Sequence, residues 1–312
     1  MKAKIVVAGS NGLVGKFVLN QLKLTSFDYK GITRKDANLL DYNAVLKLID
    51  DLRPSCIIDA AAVVGGIKYN SEFPVKFLSE NLEIQNNLMR AAHEVDVEKF
   101  IFLGSSCVYP RICPQPIKEE FLLTGSLEQT NSAYAIAKIA GIEMVKSYRK
   151  QFGRRWISLM PTNIYGPFDN FDLNHSHVIP ALIRKFTDAK KLSSPSVEVW
   201  GSGDARREFM FAEDLADAIL FTMANYDEDL HLNIGFGYDV TVRELAALIA
   251  ELTSFSGEVL FNRNLPEGTP QKLLDSSRLF NMGWKPKYSL RRGIELTIDW
   301  YNKNYMELNS GK

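Results

Sequence analysis

Short apolar runs along the chain alternate with longer stretches in which hydrophobic residues recur every three or four positions. Lys4–Ala8 reads as a buried strand, and Leu13–Lys23 as a helix with Val14, Val18 and Leu22 on one face. The alternation continues through strand Tyr29–Thr33, helix Tyr42–Leu52, strand Cys56–Asp59 and helix Pro74–Val95. Strand Lys99–Leu103, helix Ser132–Phe152 and strand Trp156–Met160 follow. The strand runs are continuously apolar, which fits burial on both faces of a parallel sheet. The pattern predicts an α/β fold, a Rossmann-type doubly wound parallel sheet.

Beyond about residue 170 the rhythm changes. Helix His177–Lys191, strand Val197–Trp200 and helix Asp214–Ala224 lead to Leu232–Ile234, which reads as a late strand returning to the first sheet. Helix Thr241–Leu252, strand Glu258–Phe261 and helix Ser289–Tyr305 then read as a smaller C-terminal α/β unit. The expected division is a dinucleotide-binding domain over 1–170, completed by about 213–236, and a mainly substrate-binding domain over 171–312. Pro110–Thr130 carries three prolines and little periodicity. It is expected to be a loop, and long loops near a strand end are often functional.

Composition narrows the function classes. With 312 residues and 46% hydrophobic content, the chain can bury a large core. Lys+Arg and Asp+Glu balance at 37 each, so no basic excess points to nucleic acid or an anionic membrane. No apolar run approaches the roughly 20 residues of a membrane span. The chain enters a strand-like run at once, so no signal peptide is expected. Three cysteines, Cys56, Cys107 and Cys113, cannot close a disulfide framework, and Cys107 and Cys113 have no second pair for a zinc site. A cytoplasmic protein without a metal is the expectation.

Four constellations carry candidate chemistry. Gly9-Ser10-Asn11-Gly12-Leu13-Val14-Gly15 follows the first strand and opens the first helix. Glycines there permit a tight turn and close approach of a pyrophosphate to free N–H groups at the helix start. At the end of the second strand, Thr33-Arg34-Lys35 offers cations where an acid would read a ribose 2′-hydroxyl, and this favours a 2′-phosphate. Tyr134 and Lys138 lie four apart on one helix, so phenol and ammonium share a face and the cation can lower the phenol pKa. Ser105 and Ser106 sit at the carboxyl end of a predicted parallel strand, where ligands of such sheets bind. A lone serine there is ordinarily a turn or cap residue. Beside Tyr134 and Lys138 it can polarise a carbonyl. Cys107 and His177 are the side chains best suited to moving protons near neutral pH, provided the fold brings them to one place.

The runs GSNGLVG, LGSSCVYP, YAIAKIAG, PTNIYGPFDNF, SHVIPAL, VWGSGDARREF and GTPQKLLD occur in that order. Together they resemble the GDP-L-fucose synthase family of extended short-chain dehydrogenase/reductases, from Lys4 to about Trp300. The resemblance implies 3,5-epimerisation of GDP-4-keto-6-deoxy-D-mannose and reduction of its C4 ketone by NADPH, in a homodimer joined through helices near 80–95 and 132–152. It implies Ser105, Tyr134 and Lys138 as the reductive set and Cys107 and His177 as the epimerisation acid/base pair. The cofactor-lining positions would be Gly9 to Gly15, Arg34, Asn38, Leu39, Lys138, Pro161, Thr162, Asn163, Ile164 and His177. The GDP-sugar would be held by Asn163, Lys185, Trp200, Arg207 and Asp275.

One departure from the family pattern stands out. Asn11 occupies a position where many bacterial members carry an arginine for the 2′-phosphate, which leaves Arg34 as the main candidate for that contact. A 4,6-dehydratase would want an acid pair where Ser106 and Cys107 stand, and a simple 4-epimerase with resident NAD does not suit Arg34. A relative acting on another GDP-4-keto sugar, such as a heptose, and a non-catalytic NADP-binding regulator are the remaining alternatives.

Overall fold

A computed structural model describes residues 4–304. The chain runs β1 (Lys4–Ala8), α1 (Leu13–Leu22), β2 (Asp28–Ile32), α2 (Tyr42–Leu52), β3 (Cys56–Asp59), α3 (Ile67–Glu72), α4 (Pro74–Glu94) and β4 (Lys99–Leu103). It continues through α5 (Ser132–Phe152), β5 (Ile157–Pro161), β6 (Asn163–Tyr165), α6 (Val178–Lys191), β7 (Ser196–Trp200), β8 (Arg206–Phe211) and α7 (Ala212–Asn225). It ends with β9 (Leu232–Ile234), β10 (Asp239–Thr241), α8 (Val242–Thr253), β11 (Glu258–Asn262), β12 (Gln271–Lys272), α9 (Ser277–Asn281) and α10 (Leu290–Lys303). Tyr305, the expected last residue of the final helix, lies outside the described residues, as does the rest of the expected second domain beyond 304.

Six parallel strands form the main sheet in the order β2-β1-β3-β4-β5-β9. The order reverses between β1 and β3, and ligands of such sheets bind at that switch point, beyond the carboxyl ends of the strands. The sheet is covered on both faces. Val7, Ile58, Ile101 and Leu159 pack in one apolar layer with Val18 of α1 and Ala216 of α7. Val6, Ile57, Phe100 and Met160 pack in the other with Ile49 of α2, Leu88 of α4 and Ile142 of α5. This two-sided burial is why the inner strands are almost wholly apolar, while the edge strand β2, Asp28–Ile32, is mixed. Helix starts follow local chemistry: the Asp41 side chain accepts from Asn43 and Ala44 N–H, and Thr241 and Glu244 form a reciprocal capping box.

Beyond the main sheet, β8 pairs with β10 (antiparallel), β12 (parallel) and β6 (parallel), and β7 pairs with β11. The late strand β9 joins β5, as its sequence suggests. Periodicity gave no sign of β8, whose segment opens on Arg206-Arg207, nor of the short strands β6, β10 and β12. Among the described residues no helix is long and apolar enough to cross a membrane.

Candidate active site

A cleft of about 710 Å³ opens over the carboxyl ends of β1, β3, β4 and β5. Its floor begins at the glycine turn after β1. Gly9 has φ +74°, and a Cβ there would meet Ala60 O at 2.6 Å, so this turn needs glycine. A Cβ at Gly15 would strike Gly9 O at 2.4 Å, so α1 packs directly on the turn. Ser10 is buried and ties the turn to β2 through the Ile32 carbonyl, its hydroxyl donating at 3.1 Å. Gly12, Leu13 and Val14 face the cleft, while Asn11 is exposed. The start of α1 thus presents backbone N–H groups and the positive end of the helix dipole to the cleft. The site suits the diphosphate of a dinucleotide.

Arg34 and Asn38 are exposed beyond the end of β2, outside the cleft lining, and Leu39 is half-buried. Asn87 of α4 donates to the Leu39 carbonyl at 2.9 Å and fixes this loop. Pro161, Thr162, Asn163 and Ile164 line the opposite wall, where Thr162 and Asn163 both donate to the Glu208 carbonyl.

Ser105, Tyr134 and Lys138 all line the cleft. Ser105 follows β4 and caps a short 3₁₀ turn, its Oγ accepting from Cys107 N–H at 3.2 Å. Helix α5 starts beside it and brings Tyr134 and Lys138 onto one face. The Lys138 ammonium donates to Leu103 O at 2.9 Å and lies 5.9 Å from the centre of the Tyr134 ring. The lowering of the phenol pKa expected from the lysine is outweighed here by burial. Burial pushes Tyr134 well up, Cys107 and Asp59 add to the rise, and the hydrogen bond with Ser105 pulls it back. Lys138 is itself pushed down to about 8 by burial, opposed by the Asp59 charge.

Cys107 and His177 line the same cleft. His177 sits at the N-cap of α6, open to the cleft but enclosed by its walls. Burial, then the Lys272 charge, holds its imidazole below the ordinary value. Its loop is pinned by Gly66, whose N–H donates to His175 O at 3.0 Å and whose Cα faces Ser176 O too closely for a side chain.

At the far end, Lys185, Trp200 and Arg207 line the cleft. Lys185 donates to Glu198 O at 2.9 Å and lies 5.9 Å from the Trp200 ring centre. Arg207 donates to the carbonyls of Arg206 and Glu267. Asp275 is not among the lining residues; its carboxylate accepts from Ser277 N–H at 3.0 Å. Lys272 of the same sequence run faces the cleft instead.

Among the lining residues that escaped the sequence reading, three bear on the chemistry. Asp59 is 1% exposed at the end of β3, with Oδ1 accepting from Ala61 N–H at 3.1 Å and Oδ2 without a partner. Its signal was the acid that interrupts an apolar run. Asn131 and Lys272 both approach the Cys107 sulfur. Asn131 stands three residues before Tyr134, and Lys272 within GTPQKLLD, but nothing local marks either as a partner of Cys107.

The sequence model of the NAD dependent epimerase/dehydratase family matches residues 5–235. GDP-L-fucose synthase 1 of Arabidopsis thaliana is 48% identical over 303 residues, covering 97% of this chain and 94% of the relative. Among solved structures, a GDP-6-OMe-4-keto-L-xylo-heptose reductase from C. jejuni superposes with a TM-score of 0.92 at 33% identity, over 97% of this chain and 98% of that one. A GDP-L-fucose synthetase from Naegleria fowleri bound to NADP gives 0.89 at 29% identity, over 97% and 93%.

Proposed function

We propose, for a chain that belongs to the NAD dependent epimerase/dehydratase family and within it to the GDP-L-fucose synthases, that one cleft performs both halves of a single conversion. The enzyme epimerises GDP-4-keto-6-deoxy-D-mannose at C3 and C5 and reduces C4 with NADPH to give GDP-L-fucose. The observation that carries this reading is the presence of Ser105, Tyr134 and Lys138 in the same cleft as Cys107 and His177.

A ketone at C4 acidifies the hydrogens at both C3 and C5. In our reading Cys107 and His177 remove a proton from one face and return one to the other, while Ser105 and Tyr134 stabilise the enolate oxygen. NADPH, when bound, supplies the hydride for C4. Tyr134 then gives its proton to O4. A phenol pushed up by burial keeps that proton at every working pH, as the acid of this step must. Lys138, charged below about pH 8, steadies the phenolate left behind. The glycine turn, Asn163 and the exposed Arg34 suit the cofactor's phosphates and ribose, with Arg34 reading the 2′-phosphate. Lys185 and Arg207 offer cations to the GDP diphosphate, and Trp200 an aromatic face.

The same proposal keeps the division into 1–170 with 213–236 and 171–312. It takes the protein to be a cytoplasmic homodimer joined through α4 and α5, which pack together on one sheet face. Light scattering of the purified protein reads the oligomer directly.

Deuterium uptake tests the epimerisation half. In D₂O, Cys107→Ser and His177→Gln should bind NADPH normally and slow deuterium entry at C3 and C5, followed by mass spectrometry of the nucleotide sugar. Reduction of unepimerised ketone should then yield a GDP-6-deoxy sugar of altered stereochemistry. Wild-type exchange in both variants would remove Cys107 and His177 as the epimerisation pair, and no exchange above background with the unmutated enzyme would favour a plain reductase, the activity named for the C. jejuni heptose enzyme.

A further inference from the structure

Lys272 has no part in the roles above, yet it reaches both epimerisation candidates. It is one of two residues in β12, in register with Arg207 on β8. Its Nζ lies 3.5 Å from Cys107 Sγ. Asn131, the residue before α5, brings its Nδ2 to 3.3 Å from the same sulfur. The Asn131 Oδ1 is buried without a partner, so the amide is engaged through its N–H side. A thiol accepts hydrogen bonds weakly, whereas two N–H donors converging on one sulfur suit a thiolate. Lys272 also lines the cleft with His177 and bears electrostatically on that imidazole.

We propose that Lys272, assisted by Asn131, is the positioning cation of the epimerisation site: it sets one positive charge against Cys107 Sγ, which favours the ionised sulfur as the base, and the same charge faces His177. This rests on the reading of Cys107 and His177 given above. The other groups facing the sulfur are Arg207 of β8 and Tyr134 of α5, with Glu128 and Glu267 facing Arg207. The Arg207 guanidinium is bonded to backbone carbonyls. Its charge therefore persists when Lys272 is replaced, and the effect of that replacement is partial. Removing a positive charge disfavours the ionised thiolate and favours the ionised imidazolium. Both limbs of a pH profile that depends on this pair therefore move to higher pH.

Iodoacetamide alkylation of the full-length enzyme measures the thiolate without substrate. Trypsin separates Cys107, in Phe100–Arg111, from Cys113, in Ile112–Lys118, so mass spectrometry scores them independently. Lys272→Met should slow Cys107 alkylation severalfold at pH 7, and the shortfall should close at high pH. Lys272→Arg should restore most of the rate. Asn131→Ala, which leaves β12 untouched, should slow alkylation in the same sense but less, and serves if Lys272→Met does not fold. The optimum pH for deuterium uptake at C3 and C5 should rise in Lys272→Met. A wild-type alkylation profile in folded Lys272→Met, or in Asn131→Ala where Lys272→Met does not fold, would overturn the proposal. If alkylation shifts but Cys107→Ser takes up deuterium at the wild-type rate, the epimerisation reading fails first, and Lys272 loses its catalytic meaning with it.

Discussion

Asp59→Asn separates charge from shape at the buried end of β3. Burial pushes the Asp59 carboxyl up to about 6, and Lys138 and the Ala61 N–H pull it back. Burial pushes Lys138 down to about 8, and Asp59 pulls it back up. At pH 7 each is the other's counter-charge. Asparagine keeps the shape and can still accept from Ala61. If the lost attraction is worth about one pKa unit, about 1.4 kcal/mol, Lys138 falls to about 7. The ammonium fraction at pH 7.5 then drops from about three quarters to about one quarter. Reduction at saturating substrate should be about threefold slower at pH 7.5, about tenfold slower at pH 9 and nearly unchanged at pH 6. The assay is NADPH absorbance decay from pH 6 to pH 9. Superimposable profiles, or an equal loss at every pH, would refute the coupling.

The same substitution has a stability signature. The folded Asp59 carboxyl binds its proton more tightly than the unfolded one, with about 6 against 3.8. Its favourable contribution is therefore complete below about pH 4 and lost as pH rises through about 6. The difference of 2.2 units bounds the loss at about 3 kcal/mol. The melting temperature of Asp59→Asn should gain on the wild type across pH 4–6, and again between about pH 7 and 8, where Lys138 of the variant loses its proton first. A constant difference across the whole range would mean that Asp59 is not ionising in the core.

Tyr134→Phe should lose about 10²–10⁴-fold in reduction while binding NADPH normally, read by cofactor fluorescence, because it removes only the proton donor. Arg34→Ala should raise the NADPH KM by the equivalent of about 1.5–3 kcal/mol and leave NADH kinetics unchanged; equal losses for both cofactors would remove Arg34 from the 2′-phosphate. Gly15→Ala drives a methyl into Gly9 O and should lower Tm sharply, whereas Gly12→Ala, whose nearest neighbour is Gly9 O at 3.3 Å, should fold and lose mainly cofactor affinity. Differential scanning fluorimetry with and without NADPH separates the two.

The main sheet was legible because all its strands but the edge strand β2 are buried on both faces and the long crossover helices show their period. Helices α2 and α5 and strands β1, β3, β4 and β9 fall on the expected residues, and other boundaries moved by one or two positions where a cap sits, as at His177 and Thr241. The site separates along a similar line. Gly9–Gly15 and Tyr134 with Lys138 are local patterns, in which turn or helix geometry alone fixes the relation between residues. Cys107 and His177 come from segments 70 residues apart and share a cleft in which the Gly65–Gly66 turn packs against the loop before α6. Lys272 is further removed, 165 residues from the sulfur it approaches. It gets there because Gln271–Lys272 pairs beside Arg206–Arg207, and Ile117 bridges to Leu274, which ties the Pro110–Thr130 loop to the strand that carries the lysine. A two-residue strand has no period to read, and its partner is set by the tertiary fold. Electrostatic control of the cleft therefore lies with residues whose local sequence is silent: Asp59 behind the lysine of the reductive set, and Lys272 behind the thiol.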